Sequence, residues 1–382
     1  MRIYLDNNAT TRIHPEVLEV LSGMSRDVHG NASSIHSEGQ RARRVLEEAR
    51  EEVASLIGAA PRELVFTSGG TESNNAAIHG AVLSARSRCH IVTSSIEHPS
   101  VLEPLSALRE QGHEVNLVPP ELDGTVSVSR MIDAIRDDTR LVCLMLANNE
   151  TGVIQPVADL AAVCRERKIH LHCDAVQGAG KIPVSTVDLG ADTIAISAHK
   201  IHGPKGIGAL YVRSGTTLER HMSGGAQERR RRAGTENVPL AAAFATAATL
   251  AKNALEEQLI AVLRDRLEMG IRRRIAEAIV HGSASPRLPN TSSVRFPGVD
   301  GESLVIALDL AGVAASTGAA CSSGRTEPSH VLLAMGLTEE DARSSLRFSL
   351  SRFTTSEEIE TVAGMVGEMV LKNKRRSVAS PA

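Results

Sequence analysis

LVCLMLANNETGVIQPVADLAAVCRERKIHLHCD, residues 141–174, holds two short apolar runs on either side of a stretch with helical period. Leu141–Ala147 and His170–Asp174 are too short for buried helices and read as strands. Between them, Pro156–Arg167 places Val157, Leu160, Ala161 and Cys164 on one face at helical spacing. Strand, helix and strand in so short a stretch make a parallel crossover unit. The same rhythm runs outward in both directions. Glu63–Thr67, His90–Thr93, Glu114–Val118, Thr193–Ser197 and Gly208–Val212 are further strand candidates, with helical stretches such as Glu72–Ala85 and Pro99–Gln111 between them. Seven strands alternating with helices predict an α/β fold, a mostly parallel seven-stranded sheet between helices. Ligands in such sheets sit beyond the carboxyl ends of the strands, so the residues just after each strand carry the interest.

Beyond the last of these strands, Leu240–Ile279 reads as a long helical connection to a smaller α+β part. That part has strand-like Ser292–Phe296 and Leu346–Leu350, helix-like Ser303–Ala311 and a Gly/Ser/Ala-rich segment at 314–324. The expected division is a large domain over 13–256 and a small domain from 1–12 with 257–382. Length and composition agree with this: 382 residues, 42% apolar and 23% charged, suit two ordinary globular domains. A net charge of -3 gives no reason to expect a nucleic acid. No run approaches the roughly 18 uncharged apolar residues of a membrane span. Five scattered cysteines without a C-x-x-C pair argue against disulfides and structural zinc and fit a reducing cytoplasm. Arg229, Arg230, Arg231 and Arg232 read as a solvated face.

Four strand ends carry candidate chemistry. After Glu63–Thr67 come Gly69, Gly70 and Thr71 at a helix start, either a phosphate cradle of backbone N–H groups or a plain turn with Thr71 as cap. Asp174 closes the strand His170–Asp174, with Gln177 one turn on. It is a helix cap or the anionic partner of a protonated ring nitrogen. After Thr193–Ser197, Lys200 follows Ser197 and His199 in apolar surroundings that favour a neutral, nucleophilic amine; Lys205 looks more solvent-facing. His98, after His90–Thr93, suits a flat partner for a ring or a proton carrier. Cys321 lies among small residues between Gly318 and Gly324, reachable and nucleophilic, whereas Cys143, Cys164 and Cys173 read as packing. Arg347 is either a carboxylate clamp or half of a salt bridge. The pairs His170 with His172 and His199 with His202 lack a third ligand, so no metal is expected.

Together the segments YLDNNATT, GNASSIHSEGQ, FTSGGTES, EHPSV, NNETGVIQP, DAVQ, SAHKIHGPKGIGALYVR, RRAGTENVP, STGAACSSG and RFSLSRF resemble, in order, the NifS/IscS-like cysteine desulfurases. These are class V members of the fold type I pyridoxal-phosphate enzymes. The resemblance implies a transferase that converts L-cysteine to L-alanine and leaves the sulfur as a persulfide on Cys321, in a mobile segment at about 314–328. It implies pyridoxal 5'-phosphate linked to Lys200, with Asp174 on the ring nitrogen, Gln177 on the ring hydroxyl and His98 stacked on the ring. Gly70, Thr71, Ser197 and His199 would hold the phosphate, and Thr235 would reach it from the other subunit of a homodimer. Asn149 and Arg347 would bind the substrate carboxylate, with Asn31 nearby. The implied partner is a sulfur-acceptor protein such as an iron–sulfur scaffold. Val176 departs from the family's usual threonine. Within the family an aminotransferase would have no use for Cys321, selenocysteine lyase chemistry is similar, and a silent scaffold would lack the cofactor contacts that are present here.

Overall fold

The computed structural model describes residues 2–254, 259–318 and 327–379. In chain order its strands are β1 (Ile3–Tyr4), β2 (Leu64–Thr67), β3 (His90–Ser94), β4 (Glu114–Val118), β5 (Thr139–Cys143), β6 (His170–Asp174), β7 (Thr193–Ser197), β8 (Gly208–Val212), β9 (Ile279–Val280), β10 (Thr291–Arg295), β11 (Val313–Ala314) and β12 (Ser345–Ser349). Seven of them form one sheet in the order β2-β8-β7-β6-β5-β3-β4. Strands β3 to β7 are mutually parallel, and β8 runs antiparallel to β7 and β2. Every residue of β7 and β8 is buried, as expected of strands covered on both faces.

From β3 the chain runs outward to β4, then returns to place β5 on the other side of β3 and continues to β6. This reversal opens a crevice at the carboxyl ends of β3 and β5, where an open α/β sheet binds ligands. His98 follows β3, Asn149 follows β5, and Asp174 and Lys200 follow β6 and β7. The helices that start there are capped locally. His98 is the N-cap of Pro99–Glu110, and its ring accepts the Ser100 N–H while Pro99 supplies the preset first position.

The predicted Leu141–Ala147 strand is shifted. Its ladder begins at Thr139 beside His90, and Leu144 and Leu146 still donate to the carbonyls of His172 and Asp174 beyond the strand's formal end. The long helix expected over Leu240–Ile279 is two helices, Val238–Ala254 and Leu259–Arg274. They pack on different partners: the first on Pro15–Asp27 and Ser37–Leu56, the second on Ser356–Ala379. Alternating helical periodicity cannot reveal such a change of partner.

Two separate cores result. One surrounds the large sheet, from Val17 to Ala251, and also takes in Val331, Leu332, Met335 and Ala342. The other joins Ile3 and Leu5 to residues between Leu263 and Val370, around the antiparallel sheet β12-β10-β9. The N-terminal segment straps the two together. β1 pairs with β11, Asn7 donates its N–H to Ser349, and Thr11 and His14 donate theirs to His199 and His202. Among the described residues no helix is long and apolar enough to cross a membrane.

Candidate active site

Lys200 ends a single turn of 3-10 helix directly after β7. Its Nζ donates to the carbonyl oxygens of Asn8 (2.5 Å) and Ala9 (2.9 Å), both in the N-terminal strap. One strand over, Asp174 is buried at the end of β6. Its Oδ1 accepts the Val176 N–H at 2.9 Å and its Oδ2 accepts Asn74 Nδ2 at 2.7 Å. Two donors leave lone pairs on this carboxylate for a further N–H.

Asn74 orders the protons of the whole corner. Its Nδ2 gives one hydrogen to Asp174 and the other to Ser100 Oγ (2.8 Å), so its Oδ1 must accept from His172 Nε2 (3.0 Å). His172 therefore carries its proton on Nε2, and its Nδ1 accepts from the Thr193 hydroxyl at 3.0 Å. Burial, with His170 beside it, pushes the His172 pKa down to about 3, so the ring is neutral. Ser100 passes its own hydroxyl hydrogen to His98 Nδ1 at 2.8 Å, where the Ser100 N–H also points. Burial lowers the His98 pKa against the opposing pull of Asp174, with Lys200 and His330 lowering it further. His98 is thus a neutral imidazole whose remaining proton sits on Nε2.

The phosphate elements gather at β2, β7 and the first turn of Gly70–Ser84. That helix starts at Gly69 without a side-chain cap. Ser197 is buried, and its Oγ has no hydrogen-bond partner among the described residues. A Cβ on Gly70 would lie 2.7 Å from Val176 Cγ2 and 3.7 Å from Ser197 Cβ, so only glycine leaves this close approach open. His199 Nδ1 meets the Thr10 hydroxyl at 3.1 Å, and burial with neighbouring Lys200, Lys205 and Lys181 pushes its pKa down to about 4. An orphaned buried hydroxyl, uncapped helix N–H groups and a glycine cradle match the needs of a phosphate. The adjoining lysine and carboxylate match the needs of a pyridine aldehyde, so the residues present fit pyridoxal phosphate.

Arg347, buried on β12, donates Nη2 to Asp6 Oδ1 (2.7 Å) and Nη1 to the Asn149 carbonyl (3.1 Å). Of the two sequence alternatives the salt bridge is present, to Asp6, and the Nε of the same guanidinium has no partner among the described residues. Gln177 donates Nε2 to the Asn8 carbonyl at 2.9 Å and accepts Lys181 Nζ on Oε1 at 2.7 Å.

Asn31 and Thr235 stand apart. Asn31 is exposed and accepts the Ser33 and Ser34 N–H groups in a local turn. Thr235 is exposed beside a cavity lined by Ser68, Gly206, Arg232 and Asn237. The turn leading to it holds Glu228, Arg229 and Arg230 with left-handed φ of 44°, 55° and 66°, which costs about 1–2 kcal/mol per residue. The buried Glu228 carboxylate compensates by accepting both Arg50 Nη groups, at 2.6 and 2.9 Å, and the Phe66 N–H. The arginine run is thus only partly solvated, since Arg232 also pairs with Glu72 at 2.8 Å. Thr71 is exposed at its helix start, and Lys205 is exposed in the turn before β8.

Cys321 lies outside the described residues. The residues on either side of its segment are held at the same corner. Ser316 exchanges two backbone hydrogen bonds with Arg347, and Ser329 donates its hydroxyl to Glu150. Cys89, Cys143, Cys164 and Cys173 are buried, and burial raises each thiol's pKa, Cys164 to about 12. No cluster able to hold a metal occurs among the described residues, and both histidine pairs are used in protein contacts.

Sequence reading missed Asn8, Asn74, Ser100 and Lys181. Asn8 stood in the quoted YLDNNATT and Asn74 in a helix already called, but nothing local marks either as a hub.

A family model described as aminotransferase class-V matches residues 3–362. A cysteine desulfurase of Enterobacter agglomerans is 44% identical over 97% of this chain and 93% of that protein. A solved NifS-like protein superimposes with a TM-score of 0.90 at 37% identity, covering 97% of this chain and all of the other. SspA, solved in complex with cysteine, gives 0.83 at 33% identity over 93% of this chain and all of its own.

Proposed function

Because the chain belongs to the aminotransferase class-V family, we propose that it is a pyridoxal-phosphate-dependent cysteine desulfurase. It converts L-cysteine to L-alanine and keeps the sulfur as a persulfide on Cys321. The relatives named as desulfurases and the fit of the site to the cofactor support this reading. The observation that carries it is the anchoring of Ser316 and Ser329, on either side of the Cys321 segment, to Arg347 and Glu150. A segment carrying a candidate sulfur acceptor, with Ser316 bonded to Arg347 on one side of it, is what desulfuration needs and transamination does not.

The chain's residues divide the work. Ser197, His199, Gly70 and Thr71 would hold the phosphate, Lys200 would carry the covalent link, Asp174 would pair with the ring nitrogen, Gln177 with its hydroxyl, and His98 would lie on its face. Bound there, pyridoxal phosphate supplies the electron sink that lets a bond at the substrate α-carbon break. Arg347 has N–H groups left after Asp6 and Asn149 to grip the substrate carboxylate, helped by the Asn149 side chain. Lys200 Nζ would take the α-proton, held in place by the Asn8 and Ala9 carbonyls. The Cys321 thiolate then attacks the substrate sulfur. The S–S bond forms, the carbon–sulfur bond breaks with its electron pair left on the substrate β-carbon, and alanine is completed by one proton to the β-carbon and by return of the Lys200 proton to the α-carbon. Neutral His98, with its proton on Nε2, is the proton carrier within the corner.

Two further parts belong to the proposal. The large domain is 13–256 and the small one 1–12 with 257–382, a division the two cores support apart from Val331, Leu332, Met335 and Ala342, which pack with the large-sheet core. The enzyme is a cytoplasmic homodimer in which exposed Thr235 reaches the other subunit's phosphate, and a sulfur-acceptor protein such as an iron–sulfur scaffold takes the persulfide.

The test is alanine release from L-cysteine with a reductant present, in wild type and Cys321→Ala. Release that vanishes in the variant supports the reading. Equal release in both removes Cys321 from its role, and release in neither, from yellow protein, rejects desulfuration.

A further inference from the structure

Lys181 is the half-buried cation at this site whose described hydrogen-bond partners are two side-chain amides. Its Nζ donates to Gln177 Oε1 at 2.7 Å and to Asn8 Oδ1 at 2.9 Å, and among the described residues no carboxylate pairs with it. Around it stand Lys200 and Arg347, with His199 and His202 also within electrostatic reach. Desolvation and the charges of Lys200 and Arg347 push its pKa well below the usual lysine value, so holding an amine here is costly and calls for a reason.

The amides supply one. An ammonium only donates and a carbonyl only accepts. Lys181 therefore requires the oxygen of Gln177 on its side, and the Asn8 carbonyl, 2.9 Å from Gln177 Nε2, requires the nitrogen on the other. A flipped Gln177 would put NH₂ against NH₃⁺ and oxygen against oxygen. Asn8 is fixed in the same way. Its Oδ1 accepts from Lys181 and Asn290, while its Nδ2 donates to the Asn149 carbonyl and the Thr291 hydroxyl. The Asn8 carbonyl also receives Lys200 Nζ. With its oxygen taken by Lys181 and one hydrogen given to Asn8, Gln177 has one N–H left to offer.

We propose that Lys181 is a positioning residue that locks the Gln177 amide so that it can only donate to the phenolic oxygen of the cofactor. The proposal rests on the reading of Gln177 as the partner of that oxygen. Removal of Lys181 takes away one of the two groups that fix the amide's sense and leaves the Asn8 carbonyl alone to hold it, so its oxygen faces the cofactor in part of the molecules. A donor on the phenolic oxygen stabilises its anionic charge and lowers the proton affinity of the chromophore, so the lock is visible in the spectrum without turnover.

The experiment titrates the visible absorbance of the cofactor-loaded protein against pH, without substrate. The variants are Gln177→Leu, Lys181→Met, Lys181→Arg and the double Gln177→Leu/Lys181→Met. Gln177→Leu and Lys181→Met should each raise the midpoint by about one unit, the size of one hydrogen bond to a charged oxygen. Lys181→Arg should return it toward wild type, and Lys181→Met should add little in the Gln177→Leu background. If Gln177→Leu moves the midpoint and Lys181→Met does not, the lock is wrong and the Gln177 reading stands. If neither moves it, the Gln177 reading fails and the lock with it. An equal Lys181→Met shift in both backgrounds would mean that Lys181 acts by charge alone, which also overturns the lock. Should Lys181→Met not fold, Gln177→Glu decides. Lys181 would hold that carboxylate ionised, leaving no donor, so the midpoint rises as in Gln177→Leu. An unchanged midpoint refutes the proposal.

Discussion

Ser197→Ala should strengthen the cofactor-free protein and weaken the loaded one. The Ser197 hydroxyl is buried and unpartnered at the end of β7, beside Gly70. An unsatisfied buried hydroxyl costs about 1–3 kcal/mol, and alanine removes that cost while keeping the Cβ that packs there. In the loaded protein the same hydroxyl donates to a phosphate, and a hydrogen bond to a charged group contributes about 1.5–3 kcal/mol. Its loss corresponds to a roughly 10- to 150-fold weaker cofactor affinity. Urea unfolding of the stripped protein and cofactor titration followed by absorbance measure the two signs separately. A variant that is destabilised without cofactor, or that binds it as tightly as wild type, would refute the assignment of Ser197 to the phosphate.

Arg347→Lys should raise KM for L-cysteine at least tenfold, since an ammonium cannot replace two parallel guanidinium bonds, each about 1.5–3 kcal/mol. The visible band should be unchanged, and an altered band with a normal KM would place Arg347 on the cofactor instead. Glu97→Gln tests a different group. Glu97 is buried beside His98, and burial pushes its carboxyl up to about 7 from 4.5 despite bonds from Ser94 Oγ and the Met145 N–H. The folded state holds this proton more tightly than the unfolded chain, so the stability it contributes is full below about 4.5 and falls as pH rises to about 7. The difference in stability between Glu97→Gln and wild type should therefore move in the variant's favour across that window, and a difference independent of pH counts against it.

Much of the fold was legible in local pattern. β4, β6, β7 and β8 appear where short apolar runs place them; burial on both faces demands apolar residues through β6, β7 and β8, whereas β4 is a mostly exposed edge strand. The candidates Asp174, Lys200 and His98 were legible for the same reason, since a strand end points its next residues into the crevice. The helical stretch after Leu240 was misread as one element because period does not record which core a helix faces.

What the linear order determined, then, is the sheet, its strand ends and the chemical types standing there. Only the tertiary structure decided which groups share a hydrogen bond. Asn8 meets Gln177, Thr291 and Lys200 across long stretches of chain, and Asn74 joins His172, Asp174 and Ser100. Such partners are set by packing between distant elements, where a directional bond forms only when donor, acceptor and backbone all arrive together. A sequence records the donor and the acceptor; the fold brings them within three ångströms, roughly the length at which the bond exists.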